Sequence, residues 1–268
     1  MDKFGLIGYP IAHSLSPVLF GQAYGGKWAY ELVEEPTFEG AWQRFISEYK
    51  AVNVTAPYKE RACAAADIVP GYVRRIGACN ILVKTPDGIL AHNSDYLGVK
   101  NLLSSFFGLE SPEITPVSAE SFCPRRPDGL LREGSAGGDF GQLAEKTVLI
   151  IGYGGAGKAA ATAARDLGMD VVVCNRTTDK AAGIRPLDEI PILAAVADMV
   201  IYTLPCAIAQ IEGIRCPALL EANYRNPVLS QASGVGRYIS GREWIVRQAS
   251  MGYGLMTGED PGPISLNN

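Results

Sequence analysis

The feature that most constrains the fold is a strand pattern that leads directly into a glycine-rich turn and an alanine-rich helix. Residues 147–151 are Thr-Val-Leu-Ile-Ile, an apolar run typical of a parallel strand that is buried on both faces. Gly152, Gly154 and Gly157 follow in a Gly-x-Gly-x-x-Gly spacing, and residues 171–174 form a second strand pattern. The segment therefore predicts the strand, helix and strand of a Rossmann-type α/β domain.

Each glycine of this turn has a mechanical reason. The first allows a tight turn from strand to helix, the second lets a pyrophosphate approach the backbone, and the third lets the helix pack closely on the strand. The free N–H groups and the positive dipole end at the start of the helix attract phosphate. We expect a nicotinamide dinucleotide here, with a flavin, another nucleotide or a vestigial site as the alternatives.

The residues after the second strand indicate which dinucleotide is bound. NAD-binding proteins usually place Asp or Glu there, whereas this chain has Asn175-Arg176-Thr177-Thr178. A guanidinium binds a 2'-phosphate in a bidentate manner, which favours NADP. Asp179 in the same loop keeps open the alternative that the basic residues are only solvated surface charges. The predicted cofactor-binding residues are Gly152, Gly154, Gly155, Ala156, Gly157, Asn175, Arg176, Thr177 and Lys180.

The length of 268 residues is sufficient for two domains of ordinary size. Residues 1–107 alternate short strand and helix patterns, which predicts an α/β domain. Residues 108–144 are rich in Pro, Ser and Gly and lack apolar periodicity, which indicates an insertion or a linker. Residues 145–240 continue the Rossmann-type alternation. We therefore expect an N-terminal α/β domain followed by a dinucleotide-binding domain.

Two local signals lie within residues 1–107. Ser16 before Pro17 predicts a helix start that is capped by the Ser16 hydroxyl. Residues 79–92 contain two apolar runs around Pro-Asp-Gly, which predicts a β-hairpin.

Composition excludes several classes of protein. The net charge is −4 and no long basic stretch occurs, so nucleic acid is not expected as a partner. Six cysteines without a Cys-x-x-Cys pair and only two histidines argue against a metal site. No run of about 18 apolar residues and no signal sequence is present, so we expect a cytoplasmic protein without a membrane partner. We expect a monomer or homodimer that acts on a small molecule.

Polar residues in the N-terminal half occupy positions typical of loops. They are Ser14 and Ser16, the segment 53–59, Asn80 and the segment 93–95. Each alone is typical of a cap or a turn. Together they offer hydroxyl and amide groups to a polyhydroxylated molecule, with Lys59 and Asp95 available for proton transfer.

These segments resemble, in order, the substrate-domain motifs of shikimate dehydrogenases. The turn at 152–157 with Asn-Arg-Thr at 175–177 is similar to the NADP-binding motifs of that family. The resemblance covers residues 1–107 and 145 to about 261. The matching segments are Gly-Tyr-Pro-Ile-Ala-His-Ser-Leu-Ser-Pro at 8–17, Asn-Val-Thr-Ala-Pro-Tyr-Lys-Glu at 53–60, Gly-Ala-Cys-Asn at 77–80 and Asn-Ser-Asp-Tyr-Leu-Gly at 93–98.

The resemblance implies a role for each matching residue. Ser14 and Ser16 would hold the substrate carboxylate, and Lys59 and Asp95 would lie closest to the reacting carbon. The residues that would contact substrate hydroxyls also include Thr55 and Asn80, and the resemblance extends to Tyr224 and Gln248 as substrate-binding residues. The segment 241–268 would return to complete the first domain.

The implied reaction is the NADP-dependent, reversible reduction of 3-dehydroshikimate to shikimate, a step in the biosynthesis of chorismate and aromatic amino acids. A quinate or aminoshikimate dehydrogenase that uses NAD or NADP, and a non-catalytic nucleotide-sensing relative, are the alternatives. When a hydride adds to a ketone carbon, the ketone oxygen gains negative charge and needs a proton donor within about 3 Å. Lys59 could donate that proton, and Asp95 could orient the Lys59 ammonium group. The alternative interpretation is that Lys59 is only a surface lysine at a helix start.

Two segments depart from the family pattern. Tyr202-Thr203-Leu204-Pro205 replaces Asn-Ala-Thr-Ser, and Ser-Gly-Arg-Glu-Trp-Ile at 240–245 replaces Asp-Gly-Leu-Gly-Met-Leu, so that Glu243 takes the place of the second glycine. We expect these changes to alter the nicotinamide pocket.

Overall fold

The computed structural model describes residues 2–109 and 143–266, which fold as two compact units. The first unit contains residues 2–94 and 248–266, and the second unit contains residues 95–109 and 143–247. Most of the expected insertion at 108–144 lies outside the described residues. The functional boundaries at 107 and 241 remain a proposal.

The first unit is built on a five-stranded mixed sheet in the order β2-β1-β3-β4-β5. β1 pairs in parallel with both β2 and β3, and β4 and β5 form an antiparallel hairpin that extends from β3. The hairpin predicted over residues 79–92 is thus confirmed. The strands are β1 (Lys3–Gly8), β2 (Ala29–Glu34), β3 (Ala51–Val54), β4 (Ile81–Thr85) and β5 (Gly88–His92).

Five helices are interspersed with these strands along the chain. They are α1 (Ser16–Tyr24), α2 (Phe38–Glu48), α3 (Lys59–Ala65), α4 (Gly71–Ile76) and α5 (Ser94–Phe106). α1 begins where Ser16 and Pro17 predict it, but the capping prediction is wrong. Ser16 is already the first helical residue, and its backbone N–H donates to the Ser14 hydroxyl at 3.2 Å. The serine two positions earlier therefore stabilises the turn before the helix.

The second unit contains a six-stranded parallel sheet in the order β11-β10-β9-β6-β7-β8. This order, with the first strand of the unit in the middle and successive strands placed outward on both sides, is that of the Rossmann fold. The predicted fold class is confirmed. The elements are β6 (Thr147–Ile151), α6 (Gly155–Asp166), β7 (Asp170–Cys174), β8 (Ile184–Arg185), α7 (Ile190–Val196), β9 (Met199–Tyr202), β10 (Cys216–Glu221), β11 (Val235–Ser240) and α8 (Gly241–Thr257).

The core of the first unit is completed by the end of α8. Ala249, Tyr253 and Met256 pack with Phe4 and Phe20 in one buried cluster. The rings of Phe20 and Tyr253 meet edge to face with centroids 5.0 Å apart, a geometry that aromatic pairs prefer. Residues after the second sheet thus belong to the hydrophobic core of the first one.

Across residues 2–109 and 143–266, no helix combines the length and the apolar character that a membrane crossing requires.

Candidate active site

The carboxyl edge of the first sheet collects most of the predicted substrate-binding residues. β1 and β3 lie side by side, but their onward connections lead to opposite sides of the sheet, to β2 and to β4. Such a switch point leaves a crevice outside the strand ends, where α/β proteins bind ligands. Ser14 and Ser16 follow β1, Thr55 and Lys59 follow β3, and Asn80 precedes the antiparallel β4 at the same edge.

Ser14 and Ser16 form a pair of adjacent hydroxyls. Their Oγ atoms are 3.1 Å apart, and both residues are half-buried at the start of α1. The hydroxyl of Tyr253 donates to the carbonyl oxygen of Ser16 at 3.2 Å. Two hydroxyls that are fixed side by side can donate to both oxygens of one carboxylate.

Backbone hydrogen bonds hold Thr55 against β1 and Lys59 against the segment that precedes β4. The N–H of Thr55 donates to Ile7 O at 3.0 Å, which holds the loop after β3 against β1. Lys59 begins α3, and its carbonyl accepts the N–H of Cys79 at 3.1 Å. The half-buried lysine is thus attached to the residue before Asn80.

Asn80 connects the site to the start of α5. The residue is only 6% exposed, and its Oδ1 accepts the N–H of Ser94 at 2.7 Å, in the manner of a helix cap. Its own N–H donates to His92 O at 2.9 Å. The next residue along α5 is Asp95, a buried carboxylate in the first helical turn, where the helix dipole favours negative charge.

A buried polar cluster that sequence reasoning missed supports these segments. The hydroxyl of Tyr72 lies 3.1 Å from Nδ1 of His92 and accepts the N–H of Asn93 at 3.4 Å. The Asn93 side chain donates to Ala78 O at 2.9 Å. Burial lowers the pKa of His92 to about 4, so the ring is neutral at physiological pH. The cluster holds the segments that carry Asn80 and Asp95.

Sequence reasoning also missed two tyrosines beside Ser16. Tyr30 donates to Oδ1 of Asn53 at 2.7 Å, and its ring lies 6.1 Å from that of Tyr253. Burial raises the pKa of both phenols above their ordinary value, and the Tyr253 hydroxyl donates to Ser16 O. Both hydroxyls therefore remain protonated donors next to the serine pair.

Gln248 lies on the helix face that approaches the start of β4. Four residues further along α8, Gly252 comes so close to this region that an added Cβ would be 2.9 Å from Ile81 Cδ1 and 3.1 Å from Ser94 Cβ. Residues four apart share one face of a helix. The half-buried Gln248 side chain thus belongs to the face that packs at the carboxyl edge of the first sheet.

The glycine turn of the second unit fits a dinucleotide. Gly152 has φ +94°, and Gly157 packs so closely that an added Cβ would lie 2.1 Å from Gly152 O. By contrast, a Cβ on Gly154 or Gly155 would meet nothing within 4 Å. The start of α6 is therefore an open cradle of backbone N–H groups suited to a pyrophosphate.

The loop after β7 presents its basic residues to solvent. Arg176, Thr177 and Lys180 are exposed. The backbone N–H of Asn175 donates a hydrogen bond to Arg185 O at 3.0 Å. Asp179, which kept the alternative interpretation open, accepts the N–H groups of Ala181 and Ala182 at 3.0 and 3.1 Å. Its carboxylate thus serves the local turn. Within the described ranges, neither Arg176 nor Lys180 forms an ion pair with an acidic side chain.

Tyr224 lies half-buried in a loop that a buried carboxylate fixes. Glu221 is 0% exposed and accepts the N–H groups of Val228 and Leu229 at 2.5 and 3.1 Å. It also accepts the Tyr238 hydroxyl at 2.9 Å. Sequence reasoning missed Glu221, because a Glu at a strand end gives no signal of burial.

The two departures from the family pattern have defined places in the second unit. Thr203 Oγ1 donates to Ile151 O at 3.0 Å and lies 3.2 Å from Gly152 O, so it covers the glycine turn. Glu243 is exposed in the first turn of α8. Their effect on the nicotinamide pocket stays a prediction. Among residues 2–109 and 143–266, no group of three His, Cys, Asp or Glu side chains could hold a metal ion.

Two family descriptions match the sequence. Residues 6–82 match the shikimate dehydrogenase substrate binding domain, and residues 131–215 match the NAD binding domain of D-isomer specific 2-hydroxyacid dehydrogenases. The first match includes the serine pair, and the second includes the glycine turn. Each unit therefore resembles a dehydrogenase domain.

Known proteins resemble the chain over most of its length. It is 34% identical over 189 residues to a bifunctional 3-dehydroquinate dehydratase/shikimate dehydrogenase of Arabidopsis thaliana, a stretch that spans 66% of this chain but only 27% of that protein. It is 28% identical over 295 residues to the shikimate dehydrogenase (NADP(+)) of Halothermothrix orenii, which covers 96% of this chain and 91% of that one.

A solved structure shares the same architecture. The shikimate 5-dehydrogenase of Thermus thermophilus in complex with NADP(H) and shikimate has a TM-score of 0.69 and 25% identity, over 98% of this chain and 95% of that one. In its substrate-domain match, its near-complete alignment and its fold, this chain is similar to the shikimate dehydrogenase family.

Proposed function

We propose that the chain is a cytoplasmic, NADP-dependent shikimate dehydrogenase that reduces 3-dehydroshikimate to shikimate and catalyses the reverse reaction. The observation that carries the proposal is the set of hydroxyl, amide and amine groups at the carboxyl edge of the first sheet. These are the groups that a carboxylated, hydroxylated ring needs, and a relative with the same architecture has been solved with NADP(H) and shikimate.

In this mechanism, the first unit binds and orients the ring. The Ser14 and Ser16 hydroxyls donate to its carboxylate, with Tyr30 and Tyr253 supporting the pair. Thr55, Asn80 and Gln248 of the first unit and Tyr224 of the second unit contribute further substrate contacts. Binding through several directional contacts fixes the ketone relative to the cofactor, which removes the entropic cost of their encounter.

Proton transfer falls to Lys59 and Asp95. NADPH, when bound, would supply a hydride to the ketone carbon, and the negative charge that develops on the ketone oxygen would need a proton. The Lys59 ammonium donates a proton to that oxygen, while the Asp95 carboxylate orients the ammonium and accepts a hydrogen bond from the alcohol. A positioned proton donor of this kind contributes about 10² to 10⁴ in rate.

Selectivity for NADP rests on the exposed loop after β7. Arg176 and Lys180 are directed to solvent, whereas Oδ1 of Asp179 accepts two N–H groups of its own turn. A guanidinium is suited to the 2'-phosphate.

The test follows the near-ultraviolet absorbance of NADPH with shikimate or quinate and with NADP or NAD. We expect the largest kcat/KM for shikimate with NADP. Lys59→Ala should lower kcat by at least about 100-fold with NADP binding retained, whereas Lys50→Ala, which removes an exposed ion pair with Asp2, should have no effect on kcat. Activity with quinate alone would refute the substrate assignment, and inactivity with every pair would favour a nucleotide-sensing protein.

A further inference from the structure

Trp244 occupies an unusual place at the beginning of α8. Its neighbours Arg242 and Glu243 are exposed, but the indole itself is only 4% exposed. In the family motif this position holds a methionine, which has no hydrogen-bond donor. The substitution therefore places a buried N–H where the motif has only an apolar side chain.

The indole N–H has one well-defined partner. Nε1 of Trp244 donates to the main-chain carbonyl oxygen of Asp95 at 2.9 Å, and the bond is buried although the residues are 149 positions apart. The length is normal for an N–H···O bond. Because indole is rigid and only a donor, its place fixes the place of the carbonyl.

A second contact joins the same two helices further along. Nη1 of Arg247 donates to Oδ1 of Asn101, so α8 holds α5 through Trp244 in its first turn and through Arg247 in its second. First turns of helices fray when nothing holds them. The first of these contacts lies in the helical turn that carries Asp95, and the second lies further along α5.

We propose that Trp244 is a positioning residue for the dehydrogenase reaction, acting through the main chain of Asp95. The inference rests on the function proposed above, in which the Asp95 carboxylate orients Lys59 and binds the alcohol. The indole does not touch the reacting atoms. It limits the movement of the backbone from which the carboxylate projects, and catalytic groups lose much of their effect when displaced by about 1 Å.

The experiment is a double-mutant cycle on kcat with shikimate and NADP. Trp244→Phe keeps an aromatic ring and removes the N–H. It should lower kcat about tenfold in the wild-type background, change the KM for NADP less than about twofold, and cause no further loss in an Asp95→Asn background. Trp42→Phe, in a half-buried aromatic cluster on α2, is the matched control and should not change kcat.

Each other outcome overturns the inference. An equal loss in both backgrounds would mean that Trp244 has a structural role only, and an unchanged kcat would mean that it has none in catalysis. If Trp244→Phe does not fold by circular dichroism, Trp244→Met enters the same cycle, and failure of both to fold again assigns a structural role. An inactive wild type refutes the proposed function and this inference with it, whereas an active wild type with uncoupled losses refutes this inference alone.

Discussion

Replacing Gly157 by alanine tests whether the glycine turn is built by close packing. The added Cβ would lie 2.1 Å from Gly152 O, 2.9 Å from Gly152 C and 3.2 Å from Thr203 Oγ1, where contacts below 3.0 Å are essentially never seen. Two of these atoms belong to the backbone and cannot rotate away. α6 must therefore move from β6 by about 1 Å, and overpacking of this kind costs about 1–3 kcal/mol.

We expect Gly157→Ala to lower the free energy of unfolding by about 2–3 kcal/mol, measured by urea unfolding with circular dichroism. Gly154→Ala is the matched control. Its φ of −77° and ψ of −166° suit alanine, and its Cβ would meet nothing within 4 Å. Its stability should change by less than about 0.5 kcal/mol, while the added methyl group occupies the space of the pyrophosphate and weakens NADPH binding at least about tenfold.

Comparing the two variants thus separates the effect of a substitution on folding from its effect on cofactor binding. A Gly157→Ala protein as stable as the wild type would refute the packing argument. A Gly154→Ala protein that binds NADPH with unchanged affinity would show that the phosphates do not lie over this turn.

Two further predictions concern pH and cofactor choice. Burial lowers the pKa of His92 from 6.5 to about 4, so between these values the unfolded chain binds a proton that the folded chain does not. The contribution of neutral, buried His92 to the free energy of unfolding is complete above about pH 6.5 and is lost as the pH falls towards about 4, by about 3 kcal/mol in total. The free energy of unfolding measured across this range should depend less on pH in His92→Gln than in the wild type or in His13→Gln. Identical pH dependence in these proteins would contradict the assignment. Arg176→Ala should raise the KM for NADPH about tenfold or more and leave that for NADH within about twofold, whereas equal changes for both cofactors would exclude contact with the 2'-phosphate.

The sequence predicts the second unit well because its signals are local. The apolar run of β6 is buried on both faces, and the spacing of Gly152 and Gly157 is dictated by contacts between residues five positions apart. The strand ends of the first unit could be located for the same reason, since turn residues and polar motifs interrupt short apolar runs. This was enough to select Ser14, Lys59 and Asn80 as candidates.

The supporting residues could not be predicted because their partners are distant in sequence. The Tyr253 hydroxyl meets Ser16 across 237 positions, and the Trp244 indole meets Asp95 across 149 positions. The burial of Glu221 and His92 likewise depends on which elements cover them. Even the local prediction for α1 was wrong in its cap, because Ser14 and Ser16 are equally suitable hydroxyls and only the path of the turn decides between them.

The closure of the first core by Ala249, Tyr253 and Met256 has a consequence for the growing polypeptide. A ribosome makes the whole of residues 95–247 between the two parts of this core, which takes roughly eight to thirty seconds at about 5–20 residues per second. During that time the leading sheet has emerged but lacks the side chains that seal it. The later-made sheet can therefore mature before the earlier one, and Phe4 and Phe20 lack their α8 partners until translation reaches that helix.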